Sequence, residues 1–319
     1  MTRRKIKITG AAAAAAALLA GALALAGPAK ASPTGCDTTP SSCGFPDATN
    51  TGVPSDVALT AVPGSATSGP GWSWDSAHGA IYAKTAGAAV SGLSCSCGIV
   101  VQAADVSIQD VSLSPASAAS WAIELQGVTG TTIEHSTITG YNDGSGRVGS
   151  AILDSGSSSY TSVIDDNLSA FKTGIQISTG LIAGNYLHNF GYATGDHDNG
   201  IFADGGVGQL IISNNTILDQ LTQTDAINLD STYEGETANK FVLYNLLGGA
   251  GYPLYGGDRY ASPGGTDPTA NVVVEGNDFS QDFYTTSGEF GEVTDYACSD
   301  SGNEWAGNYT DDGTEVDCP

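Results

Sequence analysis

Positive charge is scarce in this 319-residue chain, where ten Lys and Arg stand against 34 Asp and Glu. Five of the ten (Arg3, Arg4, Lys5, Lys7, Lys30) lie in the first thirty positions; only Lys84, Arg147, Lys172, Lys240 and Arg259 follow. A surface so poor in cations excludes nucleic acid and anionic lipid as partners, because a polyanion binds through cations that neutralise it. A polyanionic sugar is disfavoured too, unless a metal ion or a local cationic patch offsets the repulsion. Histidine is also rare, with four in the chain. Together with cysteine spacings that match no zinc pattern, this excludes a zinc centre. Beyond residue 31 there is no convincing helical stretch. After the first apolar run no second one is long enough to span a bilayer, so no membrane anchor is expected. No Ser, Thr or Cys sits in a nucleophile–base motif.

The chain opens with MTRRKIKITG, then AAAAAAALLAGALALAG, then PAKAS. A basic start, a short apolar run and a small-residue cleavage pattern, Ala29-Lys30-Ala31, predict an export signal over 1–31 and a secreted, extracellular protein. Thr2-Arg3-Arg4 with Ile6 partly fits a twin-arginine signal. Removing that segment leaves five cations against 34 acidic residues, a net charge of −29. The six cysteines form an even set, and in an exported chain disulfides are the default. Pairs Cys36–Cys43 and Cys298–Cys318 are favoured; Cys95–Cys97 would close a small ring and is the less favoured.

The middle of the chain repeats itself. GIVVQ at 98, AIELQ at 122, AILDS at 151, GIQIS at 174, GIFAD at 200, AINLD at 226 and PLYGG at 253 recur every 23–29 residues. Each is followed by a second alternating stretch such as TTIEHSTI or LIISNNTI, with the two-residue period of a strand. A repeat of this length with short strands predicts a solenoid. The expected fold is all-β, a single-stranded right-handed parallel β-helix with N- and C-terminal caps. Residues 32–90 are expected as the N-terminal cap and irregular first rungs, 91–285 as the parallel β-helix and 286–319 as the C-terminal cap. The stretch 256–271 reads as an insertion between strands. Ile133, Ile164, Ile182, Ile212 and Val274 are each followed three residues later by Ser136, Asn167, Asn185, Asn215 and Asn277. Asn245 follows Leu243 one residue sooner. Such recurrence predicts a structural ladder of stacked amides.

If the repeat openers stack, outward residues can be read in columns. One column is Glu124, Leu153, Gln176, Phe202, Asn228 and Tyr255. A second, two residues on, is Gln126, Ser155, Ser178, Asp204, Asp230 and Gly257. A third, two residues before the openers, is Ser120, Gly149, Lys172, Asp198, Thr224 and Gly251. His197, Asp225, Asp258 and Arg259 lie beside them. Aromatic rings suit the apolar faces of sugars, and Asp196, Asp198 and Asp225 suit a hard cation such as Ca²⁺, or are simply polar turns. Asp204 and Asp230, one rung apart, are candidates for a carboxyl pair about 5 Å apart. Lys172 is a candidate base or a salt-bridge partner of Asp198. His197 either holds a turn or exchanges protons, and Tyr255 either donates a proton or stacks on a sugar. Glu124, Gln176, Phe202, Asn228, Asp258 and Arg259 are candidate substrate-binding groups.

The rung spacing, the Asn recurrence and the export signal resemble the pectin-lyase-like, right-handed parallel β-helix superfamily. GDHDNGIFADGG, QTDAINL and GGAGYPLYGG resemble its secreted bacterial members, over about residues 45–310. The resemblance implies an extracellular polysaccharide substrate. The polygalacturonase pattern is not matched: His197 stands in Asp-His-Asp, not Gly-His-Gly, and Asp165-Asp166 precedes the Asn recurrence, where it is read on a different face. The pectate-lyase pattern is matched in kind only. Three readings follow for what is expected to be a monomer. The first is a polysaccharide lyase acting on a uronate polymer, with Ca²⁺ on Asp198, Asp225 and Asp230, Lys172 or His197 as base and Tyr255 as acid. The second is a glycoside hydrolase on a neutral glycan, using Asp204 and Asp230. The third is a non-catalytic carbohydrate- or cell-wall-binding module.

Overall fold

Each repeat carries three short runs in which alternate residues are aliphatic, and each run forms one strand. In the turn of chain from 171 to 188 these are Phe171–Gln176, Gly180–Ala183 and Tyr186–His188, before Asn199–Phe202 begins the next turn. Each pairs in parallel with its counterpart one repeat on: Ile175 with Ile201, Ile182 with Ile212 and Leu187 with Ile217. Naming the sheets in the order the chain visits them, sheet 1 has 11 strands, sheet 2 has 9 and sheet 3 has 10 among the described residues. This computed structural model describes residues 36, 38–143, 146–222, 224–230, 236–258 and 269–319; the expected export segment, Arg259 and most of the 256–271 stretch lie outside them. Among the described residues two strand pairings are antiparallel, Ser68–Gly69 with Trp72–Asp75 and the latter with Ala80–Ala83. The protein is therefore all-β, with three mostly parallel sheets consistent with a β-helix or solenoid. Its one described helical element is the short turn Pro40–Cys43, and no described helix is long and apolar enough to cross a membrane.

The core is built from like residues stacked turn upon turn. Ile99, Ile123, Ile152, Ile175, Ile201, Ile227 and Leu254 form the inner line of sheet 1, in direct register. Ile108, Ile133, Val163, Ile182, Ile212, Val242 and Val274 do the same in sheet 2. All are fully buried. Removing each such side chain from water is worth about 1.5–3 kcal/mol, and a slip of one residue would turn the whole line outward.

Between sheets 2 and 3 the chain bends through a left-handed residue in every turn: Asp110, His135, Asp165, Gly184, Asn214, Tyr244, Gly276 and Gly307 have φ between 51° and 71°. The residue after each bend points inward. Asn185, Asn215, Asn245, Asn277 and Asn308 are all fully buried. Each side-chain amide donates to the carbonyl oxygen of the next, at 2.9, 3.0, 2.9 and 3.0 Å. The predicted ladder is thus present, with Asp166 in place of Asn167 and with Asn308 added at its end. Asn245 is in register, since it follows Val242 by three residues. Asn167 is not a member: it opens the strand Asn167–Ser169, and Asp166 takes the rung. Asp166 Oδ1 accepts from the Ser136 amide at 2.6 Å, and the Asp166 amide donates to Asn185 Oδ1 at 2.9 Å. Asp166 is therefore part of the ladder, and Asp165 is the left-handed bend that precedes it.

Parallel pairing continues past residue 285, through Val293–Thr294, Glu304–Ala306 and Tyr309–Thr310. Upstream, the Gly52 amide donates to the Asp165 carbonyl at 2.8 Å and the Val53 amide to Thr137 Oγ1 at 3.1 Å, so this segment runs alongside sheet 3. The cysteines lie at disulfide distance as Cys36–Cys43, Cys95–Cys97 and Cys298–Cys318, the less favoured small ring included.

Asp166 is the ladder's one acid. Burial, and then the neighbouring charges of Asp165 and Glu134, push its carboxyl well above the ordinary range against the Ser136 hydrogen bond. Its Oδ2 is buried without a hydrogen-bond partner among the described residues. An amide would place a donor there and carry no charge. Asp166→Asn is expected to raise the thermal midpoint at pH 8 by several degrees, equivalent to about 1–3 kcal/mol. The gain should shrink towards pH 4, where the native acid is protonated. A midpoint lowered at pH 8 would contradict this.

Candidate functional site

The outer face of sheet 1 carries the column read from the sequence. Glu124 pairs with Leu153, Leu153 with Gln176, Gln176 with Phe202, Phe202 with Asn228 and Asn228 with Tyr255. Each step along this column is one strand spacing, about 4.8 Å. Asn228 is buried and the other five are partly buried. Glu124 is held by Gln126, which is held in turn by Gln102, through hydrogen bonds of 2.8 Å each. Next to Tyr255 stand two rings that the periodicity gave no reason to single out. Tyr252 lies 5.7 Å from Tyr255, edge to face, and 5.9 Å from Phe290. Phe290 is 65% exposed. It belongs to the long 281–292 connection, outside any repeat, so no column could have revealed it.

Before the openers the strict alternation fails. The small residue and the aliphatic residue after it both face inward: a Cβ on Gly174 would strike Leu187 in sheet 3, and one on Gly200 would strike Ile217. The residue before the small one is left on the outer side. Asp225 Oδ2 accepts from Asn228 Nδ2 at 2.7 Å, and the same amide reaches Asn199 Oδ1 at 3.5 Å. Asp225, Asn199 and Asn228 therefore share a face. The column expected through Lys172 and Asp198 does not run exposed: Lys172 is partly buried, and Asp198 is completely buried.

The acids on this flank are in unlike states. Asp196 is clasped by Arg147, whose Nε and Nη2 reach one carboxylate oxygen each, and it also accepts from the Ala193 amide at 2.9 Å. Burial opposes ionisation of Asp196, but the Arg147 and Ala193 hydrogen bonds outweigh it and hold the carboxyl below its usual range. Asp198 goes the other way: burial, reinforced by the Asp196 charge and only partly offset by Lys172 and Arg147, raises it to about 7. Burial also raises Asp219 and Asp225 well above the ordinary carboxylate range. Tyr255 is pushed up to about 12, by burial first and then by Asp225 and Asp295. The His197 side chain is exposed, and its carbonyl accepts from Asn199 Nδ2 at 3.1 Å, holding a turn.

Oxygens of Asp198 (both), Asp219 (Oδ2) and Asp225 (Oδ1) are buried with no hydrogen-bond partner among the described residues. They are the groups that a cation would suit. Asp196, expected beside them, is turned to Arg147. No group of three or more His, Cys, Asp or Glu side chains among the described residues is arranged to hold a metal ion.

On the other flank, past the strand ends, Asp154, Ser155, Gln176, Ser178 and Asp204 line a cleft of about 410 Å³. Asp230 lies at the same point one turn on, its amide donating to Asn228 Oδ1 at 2.8 Å. Asp258, a candidate binding group, is buried, and its amide donates to the Asp295 carbonyl at 2.7 Å. Arg259 lies outside the described residues. No protein-family model, curated protein or solved structure matches the chain.

The raised acids set the pH response. Asp166, Asp198, Asp219 and Asp225 bind protons more tightly folded than unfolded. The stability this gives is complete below about pH 4 and is lost as pH rises through the folded values, about 7 for Asp198. The thermal midpoint should therefore rise between pH 8 and pH 5. Asp198→Asn should raise the pH 8 midpoint and flatten that slope. Circular dichroism melts that fell on acidification over this interval would refute the assignment.

Proposed function

We propose that this chain is an extracellular enzyme that hydrolyses a neutral polysaccharide on the outer face of sheet 1. In this reading the fold is a single-stranded right-handed parallel β-helix of the pectin-lyase-like superfamily, capped at both ends. The observation that carries it is the in-register column from Glu124 to Tyr255. It alternates hydrogen-bonding groups with apolar side chains at one-strand intervals, the last two of them the rings of Phe202 and Tyr255, chemistry suited to sugar hydroxyls and sugar faces. Phe202, Tyr255 and Tyr252 would stack on rings of the polymer, while Glu124, Gln176 and Asn228 would bind hydroxyls. Asp204 and Asp230 each lie two residues past the end of adjacent strands and would act as the acid and base of glycoside hydrolysis.

Electrostatics favours a neutral substrate over a uronate polymer. Of the cations near the face, Arg147 is neutralised by Asp196, and Lys172 sits among Asp196 and Asp198. Among the described residues, little positive charge remains there to offset a substrate carboxylate. The partnerless oxygens of Asp198 and Asp225 favour a second reading. They would take Ca²⁺, which would supply the missing charge and return the protein to β-elimination, with Lys172 as base and Tyr255, held protonated, as acid.

A panel of neutral and uronate polysaccharides, with products read by mass, tests both. Hydrolysis adds one water across the cleaved bond; elimination yields fragments lighter by that water and a rise in ultraviolet absorbance. Asp204→Asn and Asp230→Asn should each lower kcat by about 10²–10⁴ on the neutral substrate. Chelator-sensitive elimination on a uronate polymer would select the second reading. Binding without turnover on any polymer would reject both.

A further inference from the structure

The connections from sheet 1 to sheet 2 carry a second cleft, around the corner from the column. Tyr160, Thr161, Thr179, Leu181, Gln209 and Ile211 line it, and its volume is about 370 Å³. Its walls share Ser159, Thr179 and Gly208 with the cleft that holds Gln176 and Asp204. The two adjoin as one trough running from the edge of sheet 1 over the turns to the outer face of sheet 2.

Two departures from the repeat mark this trough. On the outer face of sheet 2, Ser107, Thr132 and Ser162 are stacked in register, and the next two positions are Leu181 and Ile211. The column changes from hydroxyl to hydrocarbon inside the cleft, between Ser162 and Leu181, and continues apolar past it through Phe241 and Val273. The second departure is Tyr160, 69% exposed and at φ 54°. A bulky residue in the left-handed region is strained. Thr129 pairs with Ser159, so the equivalent residue one turn earlier is Gly130, at φ 75°. Where glycine makes this bend one turn earlier, here the residue bears an aromatic ring at the mouth of the cleft. The floor is fixed from beneath by Lys240, fully buried, whose Nζ donates to the carbonyls of Ser178 and Gly208 at 2.8 Å each.

The lining combines an aromatic ring and two aliphatic side chains with the hydroxyls of Ser159, Ser162 and Thr179. No Lys or Arg is among the lining residues of either half, and the adjoining half contributes the carboxyls of Asp154 and Asp204. An anionic ring meets like charge, whereas a neutral pyranose matches both the apolar floor and the hydroxyl walls. Resting on the reading that the ligand is a polysaccharide, we infer that this trough is a subsite for an uncharged sugar ring. The bound chain then crosses the turns from sheet 1 onto sheet 2 instead of staying on one face.

Affinity electrophoresis of the full chain through gels containing laminarin, galactomannan, xyloglucan or dextran tests this, with polygalacturonate as the charged control. At least one neutral polymer should retard the wild type, and Tyr160→Ala should weaken that retardation at least tenfold. Tyr160→Gly relieves the strained φ, so it should keep or raise the thermal midpoint and still lose retardation. A merely structural Tyr160 would not show that combination. Asp204→Asn should keep retardation while losing product release, which separates the subsite from the enzymatic reading. Retention without turnover in the wild type rejects only the enzymatic reading. Retardation by polygalacturonate alone, by no neutral polymer, or equally by the wild type and both Tyr160 variants overturns the subsite.

Discussion

Register is the constraint on which this structure depends. Every turn must lay its backbone donors and acceptors over those of the next, so every turn must follow nearly the same path. A side chain that suits one turn is then set directly above its counterpart in the next, and like stacks on like. The isoleucine line of sheet 1 satisfies this by burying the same shape repeatedly. The asparagine line satisfies it by closing each amide on its neighbour, which lets polar groups stand fully buried inside the core. Connections can vary in length freely, since they leave the stack and return to it. Variation in repeat length from 23 to 29 residues is therefore absorbed in the turns and not in the strands.

The same constraint concentrates charge. A column of acids on successive turns sets carboxyls about one strand spacing apart, where two charges repel unless protonated, paired or screened. The flank of sheet 1 shows two of these outcomes within three residues. Asp196 is paired through the fork of Arg147, a geometry well matched to a carboxylate. Asp198, buried and left unpaired among the described residues, is driven towards its neutral form. Each state depends on the other, because the ionised Asp196 helps raise Asp198.

How far the sequence was legible follows from this physics. A core line is set by side-chain type at fixed spacing, so the sheet 1 openers and the column from Glu124 to Tyr255 were readable to the residue. The amide ladder was readable in kind, but anchoring it on Ile164 and Leu243 instead of Val163 and Val242 misplaced Asn167 and hid Asp166. The third column was not readable, because strict alternation breaks where Gly174 or Gly200 and the following isoleucine both turn inward. That inversion comes from contacts with Leu187 and Ile217 in another sheet, and no local pattern reports it. Arg147 is 49 residues from Asp196 in a connection of irregular length, so their pairing had no periodic signal. Phe290 and Tyr160 share that fate: one lies outside the repeats and the other replaces a glycine within a turn.

In a stack of like on like, the informative positions are those where a column changes identity. A column of serine and threonine on an outer face only has to be soluble, and a column of isoleucine inside only has to fill space. Where sheet 1 passes from Gln176 to Phe202, and sheet 2 from Ser162 to Leu181, the repeat alone no longer accounts for the residue. These two changes begin within a turn or two of one another and face the same connecting turns. The acids Asp154 and Asp204 lie between them. An outer apolar column is a liability on a sheet face exposed to water, and a strained tyrosine adds a further cost. Neither improves the stacking that holds the fold together. That these departures begin near one corner, and leave the inner lines unbroken, separates what the fold requires from what a ligand would.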